Sequence, residues 1–200
     1  MSSHYSYLAL GDSYTIGEAV LLTESFPYQA VQLLRQKGYS FAAPEIIAKT
    51  GWTTDELAAG IAQHTFLEKY DFVSLLIGVN NQYRGRSVEE FEKEFTALLQ
   101  QAIGFAGNEA SHVFVLSIPD WGVTPFAKDR DVKKIAEEID QYNAVCKAVS
   151  EKNEVIFIDI TITQRADADV EGMVAGDGLH PAKKEYFKWA NRLSELIINN

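Results

Sequence analysis

Two short segments near opposite ends of the 200-residue chain hold side chains from which a nucleophilic site could be built. Gly11-Asp12-Ser13-Tyr14-Thr15 follows an apolar run, and its glycine permits backbone angles that would present Ser13 at a sheet edge. Taken alone, the serine reads equally well as a turn residue bonding its own backbone. The far end supplies Asp177-Gly178-Leu179-His180-Pro181. An Asp and a His three residues apart can meet side by side, and a carboxylate accepting from one ring nitrogen leaves the other free to take a serine proton. The order Ser13, Asp177, His180 therefore gives a triad of nucleophile, orienting acid and general base. An isolated Asp-x-x-His would read as a helix cap beside a surface histidine; a serine in the right setting gives it chemical meaning. The other histidines fit less well: His4 precedes the first strand-like run, His64 lies late in a helical pattern, and His112 stands at the amino end of a strand. Asp12 is expected to bond the backbone of its own turn rather than to orient His180.

Acyl transfer through a serine also needs donors for the negative oxygen of a tetrahedral intermediate. Two further segments can supply them: Thr50-Gly51-Trp52 and Gly78-Val79-Asn80-Asn81-Gln82. The backbone N–H groups of Ser13 and Gly51 and the side-chain amide of Asn80 are suitable. Each segment alone reads as a turn, and only the set in this order points to one reaction.

Ser13, Gly51, Asn80 and His180 stand in the order and settings of the four motifs of the SGNH hydrolases, and the chain resembles that family (the GDSL-like esterases and lipases) along its whole length. The resemblance implies a flavodoxin-like fold with strand order 2-1-3-4-5, and it implies nucleophile, oxyanion-donor and base roles for those four residues. The Gly-x-Ser-x-Gly elbow of α/β-hydrolases is absent, since Thr15 occupies the place of its second glycine. Two positions depart from the SGNH pattern. Tyr14 replaces the leucine after the GDSL serine, and Asn81 replaces the aspartate that commonly follows the third-motif asparagine. Both departures would alter the shape or polarity of the pocket while leaving the catalytic groups in place.

Further pocket residues are read from position. Trp121 and Phe126, in the segment Ile118–Phe126, either line the acyl or alcohol pocket or anchor the loop. Tyr14 and Tyr83 adjoin motif residues and are counted with them, whereas Arg84 is expected to be a solvated surface cation.

The elements that must carry these residues alternate. Tyr5–Leu10, Glu45–Ala48, Phe72–Ile77, His112–Ser117 and Val155–Asp159 are short, apolar and strand-like. Pro27–Lys37, Thr53–His64, Val88–Ile103, Val132–Lys152 and Pro181–Ile198 repeat apolar residues at helical steps. Thr53 with Glu56 and Ser87 with Glu90 fit capping boxes, and Pro27 and Pro181 suit a first helical turn. Alternation implies right-handed crossovers and a three-layer α/β/α sandwich around a five-stranded parallel sheet. Reactive residues of such a sheet gather beyond its carboxyl ends, in the loops beginning at Gly11, Lys49, Gly78, Ile118 and Ile160. The last of these, Ile160–Leu179, is long enough to suggest function.

Composition bounds the reading. With 46% hydrophobic residues, 200 residues build one core, so residues 1–200 are expected to form a single domain. No run approaches the roughly 20 apolar residues of a membrane span, and Met1-Ser2-Ser3-His4-Tyr5 carries no leader signature. A cytoplasmic location is expected, or a secreted or periplasmic one if a leader was removed. A net charge of −10 argues against nucleic acid and for a neutral or cationic small-molecule ester. The lone Cys146 lies in a helical apolar pattern with Tyr142, Val145 and Val149 and reads as core packing. No metal or cofactor is called for, and the sequence leaves the oligomeric state open. The expected activity is hydrolysis of short-acyl carboxylic esters. Lysophospholipase, thioesterase or acyltransferase activity would use the same site, and a silent carbohydrate- or lipid-binding module would keep the fold without turnover.

Overall fold

The computed structural model describes residues 4–200. Residues 1–3, part of the start read above as lacking a leader, lie outside the described residues. In chain order the elements are β1 (Tyr7–Asp12), α1 (Ser13–Ile16), α2 (Phe26–Gln36), β2 (Glu45–Lys49), α3 (Thr54–Ile61), β3 (Phe72–Leu76), α4 (Val79–Tyr83), α5 (Val88–Phe105), β4 (Val113–Leu116), α6 (Val132–Lys152), β5 (Ile156–Ile158), α7 (Thr161–Ala166) and α8 (Lys183–Ile198). The five strands form one parallel sheet in the order β2-β1-β3-β4-β5, as the resemblance implied.

β1, β3 and β4 are buried throughout, because helices cover both faces of the central strands and no solvent side is left for polar residues. The edge strands β2 and β5 are only partly buried. α2 packs against α8 on one side, and α5 packs against both α3 and α6 on the other. Phe26, Trp189, Tyr186 and Tyr14 join the first of these layers, while Phe91 stacks on Tyr142 in the second. Cys146 is fully buried and desolvation pushes its thiol up, so it is the packing residue its pattern indicated.

Several boundaries differ from the sequence reading. β1 begins at Tyr7; Tyr5 forms only an isolated bridge with Phe41. Pro181 does not open the last helix. It pairs with Val174 in an antiparallel bridge, and α8 starts at Lys183. Glu56 accepts from the Thr53 N–H at 2.9 Å, whereas Ser87 accepts from Glu90 N–H without the reciprocal bond. His64 lies beyond the end of α3 with Nδ1 2.7 Å from the Gly60 carbonyl. Segments expected as loops also contain helices: Ser13 opens α1, Asn80 lies in α4, and the long stretch after Ile160 begins with α7. None of the described helices is long and apolar enough to cross a membrane.

Candidate active site

Ser13 is delivered by the end of β1. Gly11 pairs with Ala48 on one side and Leu76 on the other, and a Cβ there would collide with the Leu76 carbonyl and the Thr15 side chain. Gly11 has no positive φ, so glycine serves here by its missing side chain and not by the unusual backbone angles expected of it. Asp12 caps α1 by accepting from Tyr14 N–H at 3.0 Å, the backbone role expected of it. Ser13 itself is 4% exposed. As the first helical residue it has no intrahelical partner for its N–H.

The Asp12 carboxyl is fully buried, and desolvation lifts it to about 7 although Tyr14 N–H and its own backbone N–H favour the charged form. Desolvation likewise raises the Tyr14 hydroxyl, and the carboxylates Asp12, Asp177 and Asp120 add to the effect. The Tyr14 ring lies against the His180 ring, centroids 5.3 Å apart.

His180 sits on a pinned loop. Ala175 N–H donates to the His180 carbonyl at 2.7 Å, Ala182 N–H to Met173 at 2.8 Å, and Phe126 N–H to Gly178 at 2.9 Å. Within this loop His180 Nδ1 lies 2.6 Å from Asp177 Oδ2, and Asp177 Oδ1 accepts from the N–H groups of Leu179 and His180, each at 3.0 Å. Partial burial pushes the Asp177 carboxyl upward. The bonds from the His180 ring and the two N–H groups outweigh that effect and hold it below the ordinary carboxylate value. An ionised carboxylate only accepts, so the proton belongs on Nδ1 and Nε2 is the basic nitrogen. Ser13 and His180 line one cavity, but no hydrogen bond joins their side chains.

The donor loops meet at the same place. Trp52 N–H bonds the Lys49 carbonyl at 3.2 Å, closing a turn whose third residue, Gly51, has φ +83. Thr50 has no positive φ, so the turn is type II; its middle peptide leaves the Gly51 N–H unused within the turn. Asn80 projects from α4 and donates through Nδ2 to the Trp52 carbonyl at 2.9 Å, with Asp12 Oδ2 at 3.5 Å.

Ser13, Gly51, Asn80, His180 and all four of the expected pocket residues, Tyr14, Tyr83, Trp121 and Phe126, line one cavity of about 200 Å³. Asp177 stands behind His180 rather than on the cavity wall. Thr50, Val79 and Leu179 complete the lining; none had been singled out for the pocket, though each adjoins a motif residue. Trp121 is both wall and anchor, since its Nε1 donates to Gln82 Oε1 at 2.8 Å and its ring meets Tyr83 and Phe126 edge-on. Tyr83 and Phe126 are about half exposed at the mouth.

Arg84 is exposed, as expected, but also makes a contact that was not foreseen. It remains partly solvated and pairs with Glu56 at 3.2 Å, yet its Nη2 donates to the Gly51 carbonyl at 2.6 Å. Pattern reading could not detect this contact, because its acceptor is a backbone carbonyl 33 residues away.

Solved structures share this fold. No curated protein matches the chain in sequence. An acetylxylan esterase from Geobacillus stearothermophilus has the same fold, with TM-score 0.75, 19% identity, and 98% of this chain and 94% of that one covered. So do a lipase/acylhydrolase from Enterococcus faecalis (TM-score 0.73, 20% identity, 98% and 94% covered) and a G-D-S-L family lipolytic protein from Veillonella parvula (TM-score 0.72, 15% identity, 98% and 100% covered). The sequence pattern of the GDSL-like lipase/acylhydrolase family matches residues 9–186, a span that runs from inside β1 into α8. The chain belongs to the GDSL-like lipase/acylhydrolase family and is a serine hydrolase acting on ester bonds.

Proposed function

We propose that the whole chain works as one catalytic domain that hydrolyses short-acyl carboxylic esters through Ser13, His180 and Asp177. The observation that carries this reading is the 2.6 Å contact of His180 Nδ1 with Asp177, on a loop whose histidine shares a cavity with Ser13. His180 Nε2 takes the Ser13 proton as Oγ attacks the ester carbonyl. The oxyanion is met by the N–H groups of Ser13 and Gly51 and by the second Asn80 N–H, which exchanges its long 3.5 Å contact with Asp12 Oδ2 for the oxyanion. The alcohol leaves with the proton from His180, and a water deprotonated by the same nitrogen releases the acid.

The short-acyl preference rests on size. A cavity of about 200 Å³ lies below the ~300–1,000 Å³ typical of sites for drug-sized ligands. The fold neighbour that acts as an acetylxylan esterase suits an acetyl group on a polar alcohol, with the half-exposed rings of Tyr83 and Phe126 at the mouth to meet that alcohol. An organophosphonate should label Ser13, and Ser13→Ala should abolish both labelling and turnover; labelling of another serine overturns the triad. With p-nitrophenyl acetate, butyrate, octanoate and laurate below their aggregation limits, kcat/KM should peak at the short end. An enclosed tunnel would instead add about 0.8 kcal/mol per methylene, and a maximum at octanoate or laurate would favour a thioesterase- or lysophospholipase-like enzyme.

A further inference from the structure

The glycine of the Lys49–Trp52 turn allows the geometry a donor needs but does not enforce it. Type I and type II turns share their end-to-end hydrogen bond and differ by a half-rotation of the middle peptide. Glycine accepts φ of either sign, so Gly51 alone leaves that peptide free to rotate. In the rotated form the Gly51 N–H would turn away from the cavity and the Thr50 carbonyl would face it, presenting an acceptor where the oxyanion needs a donor.

The contacts around the turn oppose that rotation. On one side the Thr50 hydroxyl donates to the Glu18 carboxylate. On the other, α4 and the Arg84 that caps its C-terminus grip two successive carbonyls: Asn80 Nδ2 holds Trp52 O at 2.9 Å and Arg84 Nη2 holds Gly51 O at 2.6 Å. Arg84 follows Asn80 by four residues and its N–H bonds the Asn80 carbonyl, so both grips come from the same side of this one turn of helix. Arg84 is itself held by Glu56, 3.2 Å away near the start of α3. Rotation of the middle peptide needs small compensating shifts of the peptides beside it. Fixing the Thr50 side chain and the Gly51 carbonyl removes that slack.

We propose that Arg84 is a positioning residue of the oxyanion hole: it fixes the Gly51 turn against α4, keeps the Gly51 N–H directed into the cavity, and sets its distance from the Asn80 amide. This inference rests on the esterase reading above. Its consequence is confined to the transition state, because the Gly51 N–H gains its full charge partner only when the oxyanion forms. Arg84 and Glu56 are 44% and 40% exposed, so their pair contributes little to stability.

The test is steady-state hydrolysis of p-nitrophenyl acetate by the wild type, Arg84→Ala and Arg84→Lys, with thermal melting of each. Arg84→Ala should lower kcat about 10- to 100-fold, less than outright loss of a donor, with KM changed by no more than about threefold. Its melting temperature should move by no more than about 2 °C. Arg84→Lys keeps the charge but not the planar fork, and it should recover only part of the lost kcat. Retained kcat in Arg84→Ala, a loss carried by KM, or full recovery by lysine overturns the inference, the last by showing that charge alone suffices. Should Arg84→Ala fail to fold, Arg84→Lys decides: reduced kcat at unchanged KM supports the role, and wild-type kcat overturns it. A wild type that neither turns over ester nor labels at Ser13 would sink the esterase reading itself, a separate outcome.

Discussion

An imidazole can take a serine proton only if the nitrogen facing the serine carries none, so the residue that fixes the tautomer matters as much as the base. Asp177 Oδ2 accepts at Nδ1 while Asp177 Oδ1 is held by two backbone N–H groups, which leaves the carboxylate little freedom to release the ring. In Asp177→Asn an amide N–H can turn toward Nδ1, favouring the tautomer with its proton on Nε2. We expect kcat to fall by about 10²–10⁴ with the fold intact. A wild-type rate would reduce Asp177 to a loop cap. At this scale residue type and order along the chain singled out Ser13, Gly51, Asn80, Asp177 and His180, and the structure brings all of these except Asp177 to one cavity, with Asp177 against His180. Arg84 and Gln82 were not legible as positioning groups. Their partners are a backbone carbonyl and an indole N–H brought near by the fold, and neither contact leaves a pattern along the chain.

At the scale of elements, the helices that flank the candidate site are stitched together by a residue that departs from the usual family pattern. Asn81 is fully buried; its Oδ1 accepts from Thr54 N–H at 3.1 Å and its Nδ2 donates to Thr54 Oγ1 at 2.6 Å, tying α4 to the start of α3. The Thr54 hydroxyl spends its single hydrogen on Glu94 of α5. This explains why asparagine suits the position here. An ionised aspartate has no donor for Thr54 Oγ1, and it would compete with Glu94 for one hydrogen while adding a buried charge beside it. Asn81→Asp should therefore destabilise by about 1–3 kcal/mol, roughly 3–10 °C in melting temperature for a chain of this length. The deficit should shrink in acid, where a protonated carboxyl regains an O–H donor. Equal melting at neutral pH would show that the clamp carries no net stability. The five strands and the long helices were read from their apolar periods. α1, α4 and α7 were not, because four to six residues are too few for a helical period to emerge, and Pro181 was misread because its partner, Val174, lies across a loop.

Across the whole molecule, strand–helix alternation was enough to give the three-layer architecture, but the strand order followed only from the resemblance. Periodicity does not reveal that the chain reverses direction after β2 and that β3 pairs with β1. That reversal has a consequence for stability. It puts the end of β1 between β2 and β3, with Gly11 paired on both sides and Asp12 paired with Lys49; Asp12 is fully buried there and its carboxyl rises to about 7. In the unfolded chain the same group titrates near 3.9. Between those values the folded state keeps a proton that the unfolded state has released, so stability falls as pH rises from about 4 to about 7 and levels off above. Asp177 works in the opposite sense and in a different window. Its lowered folded value contributes stability that is present above the ordinary carboxylate range and lost as pH falls through it. The two are therefore separable between pH 5 and 8, where Asp177 is ionised in both states and, of these two carboxyls, Asp12 alone is changing. At the upper end Asp12 weighs against the fold by at most about 4 kcal/mol in all, of which roughly 3 kcal/mol accrues within that interval. Asp12→Asn removes the titration. It costs a constant amount for placing an amide where Asp12 Oδ2 lies 3.5 Å from Asn80 Nδ2, but that cost does not vary with pH. Melting curves of wild type and Asp12→Asn from pH 5 to 8 should thus converge or cross as pH rises, with the wild type losing several degrees relative to the variant. Parallel curves would mean that Asp12 is ionised throughout, and that its buried charge is compensated by a donor supplied from outside the contacts described above.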